Sequence, residues 1–183
     1  MSDEKQLEGS PLQISSGNLL LVQLFEAQLA DTTTQPLSVI VDAPWGYAFE
    51  GTALVQTENS LILTDNPCGE YLEDLWDLSP TVLIGREVSL KDFIFFVKQA
   101  AQGQKYKVCP TYQTPLTKSE RKTLRLCADD PNLIRVAQKM YVSHGTLKNS
   151  LSHIYDKLDL QGLADLRSYY YGSGKNSDYT DTM

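Results

Sequence analysis

Histidine, cysteine and long apolar runs are all scarce in this chain of 183 residues. The two histidines, His144 and His153, stand close together near the C-terminus, and Cys68, Cys109 and Cys127 are widely spaced with no CxxC. An odd, scattered set of cysteines argues against a disulfide framework or a zinc site, so reduced structural thiols are expected. Cys109, beside Pro110, is the one worth testing as a thiol sensor. With no glycine-rich phosphate loop and no metal-ligand spacing, no catalytic constellation is visible, and neither enzyme activity nor a cofactor is expected. No apolar run is long enough to cross a bilayer and the N-terminus carries no signal-peptide pattern, which points to a cytoplasmic protein. No internal repeat is found. The length suits one ordinary domain plus a small one.

Charge is unevenly spread. Residues 1–115 hold six Lys/Arg against fifteen Asp/Glu, a balance of −9, whereas residues 116–172 hold nine against six, or +3. An acidic half joined to a mildly basic one suits a protein-facing domain fused to a nucleic-acid-binding module.

The chain divides accordingly. Residues 1–10 and 173–183 are polar, without apolar period, and are expected to be disordered. Residues 109–115, with two prolines, read as a linker. Between 11 and 108 the pattern alternates: a short strand at Leu12–Ile14, a very apolar helix over 18–30, a β-branched strand Leu37–Val41, an ambiguous stretch in which 47–56 suits a helix, a strand over 60–64, a helix over 69–78, a strand over 81–84 and a helix over 90–102. Such alternation implies a parallel sheet with helices on both faces.

Residues 116–172 read as short capped helices. Thr117 and Glu120 make a T-x-x-E capping box, with Leu124, Cys127 and Ala128 on the inner face of the helix it starts. Asn132 can cap a second helix, where Leu133, Val136, Ala137 and Met140 recur at helical spacing. Ser143 can cap a third, whose buried stripe is Leu147, Leu151, Ile154 and Leu158. A tri-helical unit of this kind is a helix-turn-helix, whose last helix is expected to enter a major groove.

These residues resemble a known family. Leu116-Thr117, the run Leu124-Arg125-Leu126, Val136-Ala137, the run from Val142 to Asn149, and Lys157-Leu158 together resemble the LuxR/GerE (NarL-type) DNA-binding domain over about fifty-five contiguous residues. The first half resembles a response-regulator receiver. Leu61-Ile62-Leu63-Thr64-Asp65-Asn66-Pro67 is similar to the strand ending in the phosphorylated aspartate, and Val82–Ser89 to the last strand and the turn after it. Lys91–Val108 is similar to the final helix and its exit. The resemblance makes Asp65 a possible phosphoacceptor, but the acidic pair that would hold Mg²⁺ is replaced by Ser15 and Ser16. Arg86 stands where a lysine is expected, and one βα unit is missing.

The expected fold is thus an α/β N-terminal domain, a truncated, receiver-like and flavodoxin-like parallel sheet, joined to an all-α helix-turn-helix domain. The expected function is sequence-specific binding of double-stranded DNA by a transcriptional regulator. Its candidate contacts are Ser143, His144, Thr146, Lys148, Asn149, Ser152 and Lys157. Lys148 suits guanine or a phosphate and Asn149 suits adenine, while Ser143, His144 and Thr146 sit where a helix N-terminus favours a phosphate. Lys157 would touch the backbone or support the fold. Leu163, Leu166 and Tyr170, on the last helix, are candidates for a homodimer interface, which the Tyr169-Tyr170-Tyr171 run favours. The apolar helix with Leu19, Leu20, Leu21, Val22, Leu24, Phe25 and Leu29 is a second candidate contact, for a protein partner. Two alternatives stand beside this reading: a protein-interaction module that binds RNA polymerase or a partner regulator through a worn helix-turn-helix, and a regulator controlled by phosphorylation of Asp65.

Overall fold

Runs rich in β-branched residues fold as strands, and segments of helical period between them fold as helices. The computed structural model describes residues 11–29, 32–50 and 59–172. The disorder expected at 1–10 and 173–183 concerns residues outside that range. The elements run β1 (Leu12–Ser15), α1 (Leu19–Leu29), β2 (Leu37–Val41), β3 (Ser60–Leu63), α2 (Gly69–Trp76), β4 (Val82–Ile84), α3 (Leu90–Ala101), β5 (Tyr106–Val108), α4 (Lys118–Asp129), α5 (Leu133–Lys139), α6 (His144–Leu158) and α7 (Leu163–Tyr170). The helix expected over 47–56 is a 3-10 turn at Tyr47–Phe49, and its remainder reaches residues outside the described range. Among the described residues no helix is long and apolar enough to cross a membrane.

The chain forms two compact units. The first comprises residues 1–64 and 80–107, the second residues 65–79 and 108–183. Contacts therefore do not divide the chain where composition does. The segment bearing α2 belongs with the C-terminal helices, and so do residues 109–115, which read as a linker.

The first unit has the expected parallel sheet. Ile14 pairs with Val39, Val39 with Leu61 and Leu61 with Val82, and β1 to β4 all run parallel. Every residue of β2 is buried, as a central parallel strand requires. Two particulars differ from expectation. The strand order is sequential, β1-β2-β3-β4-β5, whereas a flavodoxin-type sheet reverses direction at its second strand. Repeated right-handed crossovers in one direction lay their helices on one face, and Phe25 of α1 meets Phe93 of α3 with ring centroids 5.4 Å apart. These two helices share a face. The edge strand β5, where the sequence suggested only an exit toward the next domain, is short and begins with the exposed pair Tyr106 and Lys107.

Local chemistry sets the bounds of the C-terminal helices. Thr117 Oγ1 accepts from Glu120 N–H, and Glu120 Oε2 accepts from Thr117 N–H at 2.8 Å, completing the capping box of α4. Asn132 Oδ1 accepts from the amides of Ile134 and Arg135, and Ser143 Oγ from that of Thr146 at 3.0 Å. Leu124, Cys127, Ala128, Val136, Ala137, Leu147, Leu151 and Ile154 form the buried core.

Candidate nucleic-acid interface

The third helix of the tri-helical unit, α6, has two unlike sides. Leu147, Leu151 and Ile154 are buried and Leu158 half-buried, while His144, Gly145, Lys148, Asn149, Ser152 and Asp156 are exposed. Two helical periods in one sequence, apolar and polar, produce this. The polar edge brings together Ser143, His144, Lys148, Asn149 and Ser152. Among the described residues the side chains of Lys148 and Asn149 make no hydrogen bond or ion pair with the rest of the chain. A free cation and a free carboxamide one residue apart on a helix edge can meet the donors and acceptors of base edges.

The start of α6 is built differently. Ser143 Oγ is occupied by the Thr146 amide, and the Ser143 and Thr146 hydroxyls lie 2.8 Å apart. Both are therefore caps first, with His144 exposed between them. At Gly145 an added Cβ would meet only Ser143 Oγ, at 3.7 Å, so the monomer's packing does not demand a glycine there. Ser150 donates to the Thr146 carbonyl at 3.1 Å and is spent within the helix. Lys157 is also engaged: its Nζ donates to both oxygens of Glu120 at 2.8 Å, tying the end of α6 to the cap of α4. That hydrogen bond and the Thr117 amide hold the Glu120 carboxyl down at about 2. On α5, Arg135 and Lys139 both turn to Asp130, at 3.0 and 3.5 Å, so two exposed cations on the neighbouring surface share one carboxylate.

The last helix corrects one expectation. Leu166 and Tyr170, read as candidate dimer contacts, are fully buried within their own unit. Leu163 is half-buried. The cause is α2, which packs against α4 and α7. Tyr170 donates its hydroxyl to Asp74 Oδ2 at 2.8 Å, and its ring lies 5.0 Å from that of Tyr71. Asn66 Nδ2 donates to the Tyr170 carbonyl. The three consecutive tyrosines each find an acid: Tyr169 donates to Glu70, Tyr170 to Asp74 and Tyr171 to Asp129. Arg121, itself buried, bonds Asp74 at 3.2 Å and Asp77 at 2.7 Å, with Arg125 at 3.7 Å from Asp74. Tyr112 of the expected linker donates to Glu73 at 3.1 Å.

Sequence reasoning missed this cluster. Its one local sign is spacing: Glu70 and Asp74 on α2, and Arg121 and Arg125 on α4, each stand four residues apart on one helical face. Nothing local says that the two pairs meet.

The remaining candidates lie outside this surface. Asp65, the second residue after β3, is exposed. Ser15 ends β1 and Arg86, past β4, is exposed. Among the described residues no cluster of histidine, cysteine, aspartate and glutamate could hold a metal ion. None of the three cysteines is in a disulfide; burial pushes the Cys127 thiol up to about 12, and the same cause raises Cys68. Cys109 is half-buried.

Comparison with known proteins adds the following. Residues 114–170 match the family model described as GerE: bacterial regulatory proteins, luxR family. No curated protein sequence matches the chain. Solved structures that it is similar to include the response regulator ChrA of a heme-sensing two-component system, at 13% identity over 88% of this chain and 96% of that one, with a TM-score of 0.39. A structure of two RcsB dimers bound to two parallel DNAs is similar at 14% identity over 86% and 96% of the two chains, TM-score 0.46. The RcsB response regulator of Salmonella typhimurium is similar at 14% identity over the same shares, TM-score 0.43.

Proposed function

Because residues 114–170 form a LuxR-family helix-turn-helix domain, we propose that this chain is a DNA-binding transcriptional regulator that reads double-stranded DNA through the exposed edge of α6. The observation that carries this reading is the pair Lys148 and Asn149, exposed and without partners among the described residues. In the proposal α6 enters the major groove by its N-terminal half. Lys148 bonds guanine O6/N7 or a phosphate, and Asn149 pairs with adenine N6/N7. Amides and hydroxyls at Ser143, His144 and Thr146 receive a backbone phosphate, and Ser152 reaches the flank of the site. Lys157 serves the fold through Glu120. The protein works in the cytoplasm, without catalysis or cofactor.

The first unit, in this reading, regulates by dimerisation or protein contact and not by phosphoryl transfer. Ser15 and Ser16 offer no charge for Mg²⁺, and the guanidinium of Arg86 is a poor substitute for a lysine ammonium. The dimer forms instead through α1, where Leu19, Leu20 and Leu24 are 69%, 75% and 55% exposed. Exposed leucines on one helix favour a partner that covers them. Two half-sites read by two copies offset the thin positive charge of each. The rival, a protein-interaction module, draws its support from the two α5 cations held by Asp130.

Gel shift on the duplex preferred by the wild type separates these. The Lys148→Ala/Asn149→Ala variant should bind it at least about tenfold more weakly, since a bidentate base contact is worth about 1–3 kcal/mol. Unchanged binding by the folded variant refutes the α6 edge as the reading surface.

A further inference from the structure

Helix α5 ends in an unusual way. Tyr141 N–H donates to the Gln138 carbonyl at 3.1 Å, and Val142 N–H to the Ala137 carbonyl at 3.0 Å. With Met140 as the C-cap, these are the two bonds of a Schellman motif, whose next position requires a left-handed residue and is usually glycine. Here that residue is Tyr141, with φ of 57°. Asp159 adopts the same conformation at the end of α6, but a short polar side chain tolerates it through local hydrogen bonding. A tyrosine has no such relief.

Nor does packing compensate. Tyr141 is 96% exposed, and among the described residues its side chain makes no hydrogen bond or ring contact. The free protein thus carries a strained, unpacked aromatic at the turn of its helix-turn-helix. It lies in the turn after α5, two residues before Ser143, which caps the end of α6 that bears His144 and Thr146. When such a helix N-terminus enters a groove, phosphates flank it, and tyrosine hydroxyls are among the groups that bond them.

We infer that Tyr141 is a DNA-backbone contact, its hydroxyl donating to a phosphate oxygen beside the groove that α6 enters. The inference rests on the DNA-binding function proposed above. A hydroxyl that donates a hydrogen bond is not a cation and displaces no counterion, so its loss leaves the salt dependence of binding unchanged.

The test uses the full chain and the duplex that the wild type prefers. Tyr141→Phe and Tyr141→Gly should each weaken binding by about fivefold, the worth of one hydrogen bond. The slope of log affinity against log salt should not move, whereas Lys148→Ala should lower it by about one unit. Tyr141→Gly should unfold at the wild-type temperature or above it, because glycine suits the left-handed position. Wild-type affinity in the Phe variant overturns the hydroxyl contact. Wild-type affinity in both variants overturns any DNA contact and leaves Tyr141, with Ile134 at 60% exposure, as an apolar surface for a protein. If the wild type selects no duplex, the function itself has failed, and that result is distinct from either.

Discussion

Two glutamates in the C-terminal unit respond to pH in opposite directions. Glu70 is buried, and its Oε1 has no hydrogen-bond partner among the described residues, while Oε2 accepts from Tyr169. Burial outweighs that bond and raises its carboxyl above the usual 4.5. A raised folded-state value means that the fold prefers the protonated acid. The resulting stability is present below 4.5 and is lost as pH rises through the raised value. Glu70→Gln should therefore stabilise the protein by about 1 kcal/mol near neutral pH, with the advantage shrinking on acidification. Thermal unfolding at neutral and at acidic pH checks this, and a less stable variant at neutral pH would contradict it. Glu120 behaves conversely: its depressed value means that its contribution is present above 4.5 and lost as pH falls toward about 2. The caps at Thr117, Asn132 and Ser143 could be read from the sequence because each acts within three residues. The left-handed Tyr141 could not, because no glycine marks the spot.

Among the elements, helices and strands with a clear period were legible and the membership of α2 was not. The run Glu-Tyr-Leu-Glu-Asp-Leu-Trp reads as a receiver-type helix beside a sheet, yet it packs with α4 and α7 through Tyr71, Glu70 and Asp74. Its partners are distant in sequence, Arg121 of α4 lying 47 residues from Asp74 and Tyr170 of α7 lying 96, separations that periodicity does not report. The short strand β5 escaped for another reason, since Tyr106 and Lys107 are exposed and give no buried alternation. If α2 is integral to the helical unit, Tyr71→Ala should cost about 3–5 kcal/mol, as for other large buried aromatics. It should also speed hydrogen exchange at the amides of α4 and α7. Loss of protection confined to α2 would show instead that the helical unit stands without it.

At the scale of the whole molecule, the split between an acidic half and a basic half was visible in composition, whereas Ser15 and Ser16 stand out only against the receiver pattern that the chain resembles. The strand order was not, because a parallel sheet of either order uses the same alternation of strand and helix. The proposed regulator should sediment as a dimer, and acetyl phosphate with Mg²⁺ should add no phosphoryl mass and leave that dimer unchanged. Leu20→Glu/Leu24→Glu should yield monomers, since charge on an apolar face opposes its burial. A phosphoryl adduct absent from Asp65→Ala would restore phosphorylation control, and a dimer indifferent to the leucine changes would move the interface away from α1.

The most direct measurement is selection by the purified full chain from a pool of randomised duplexes at low salt. Enrichment of one motif by the wild type, lost or altered in the Lys148→Ala/Asn149→Ala variant, is the predicted result. A folded wild-type protein that enriches nothing would contradict the regulator and favour the protein-interaction module.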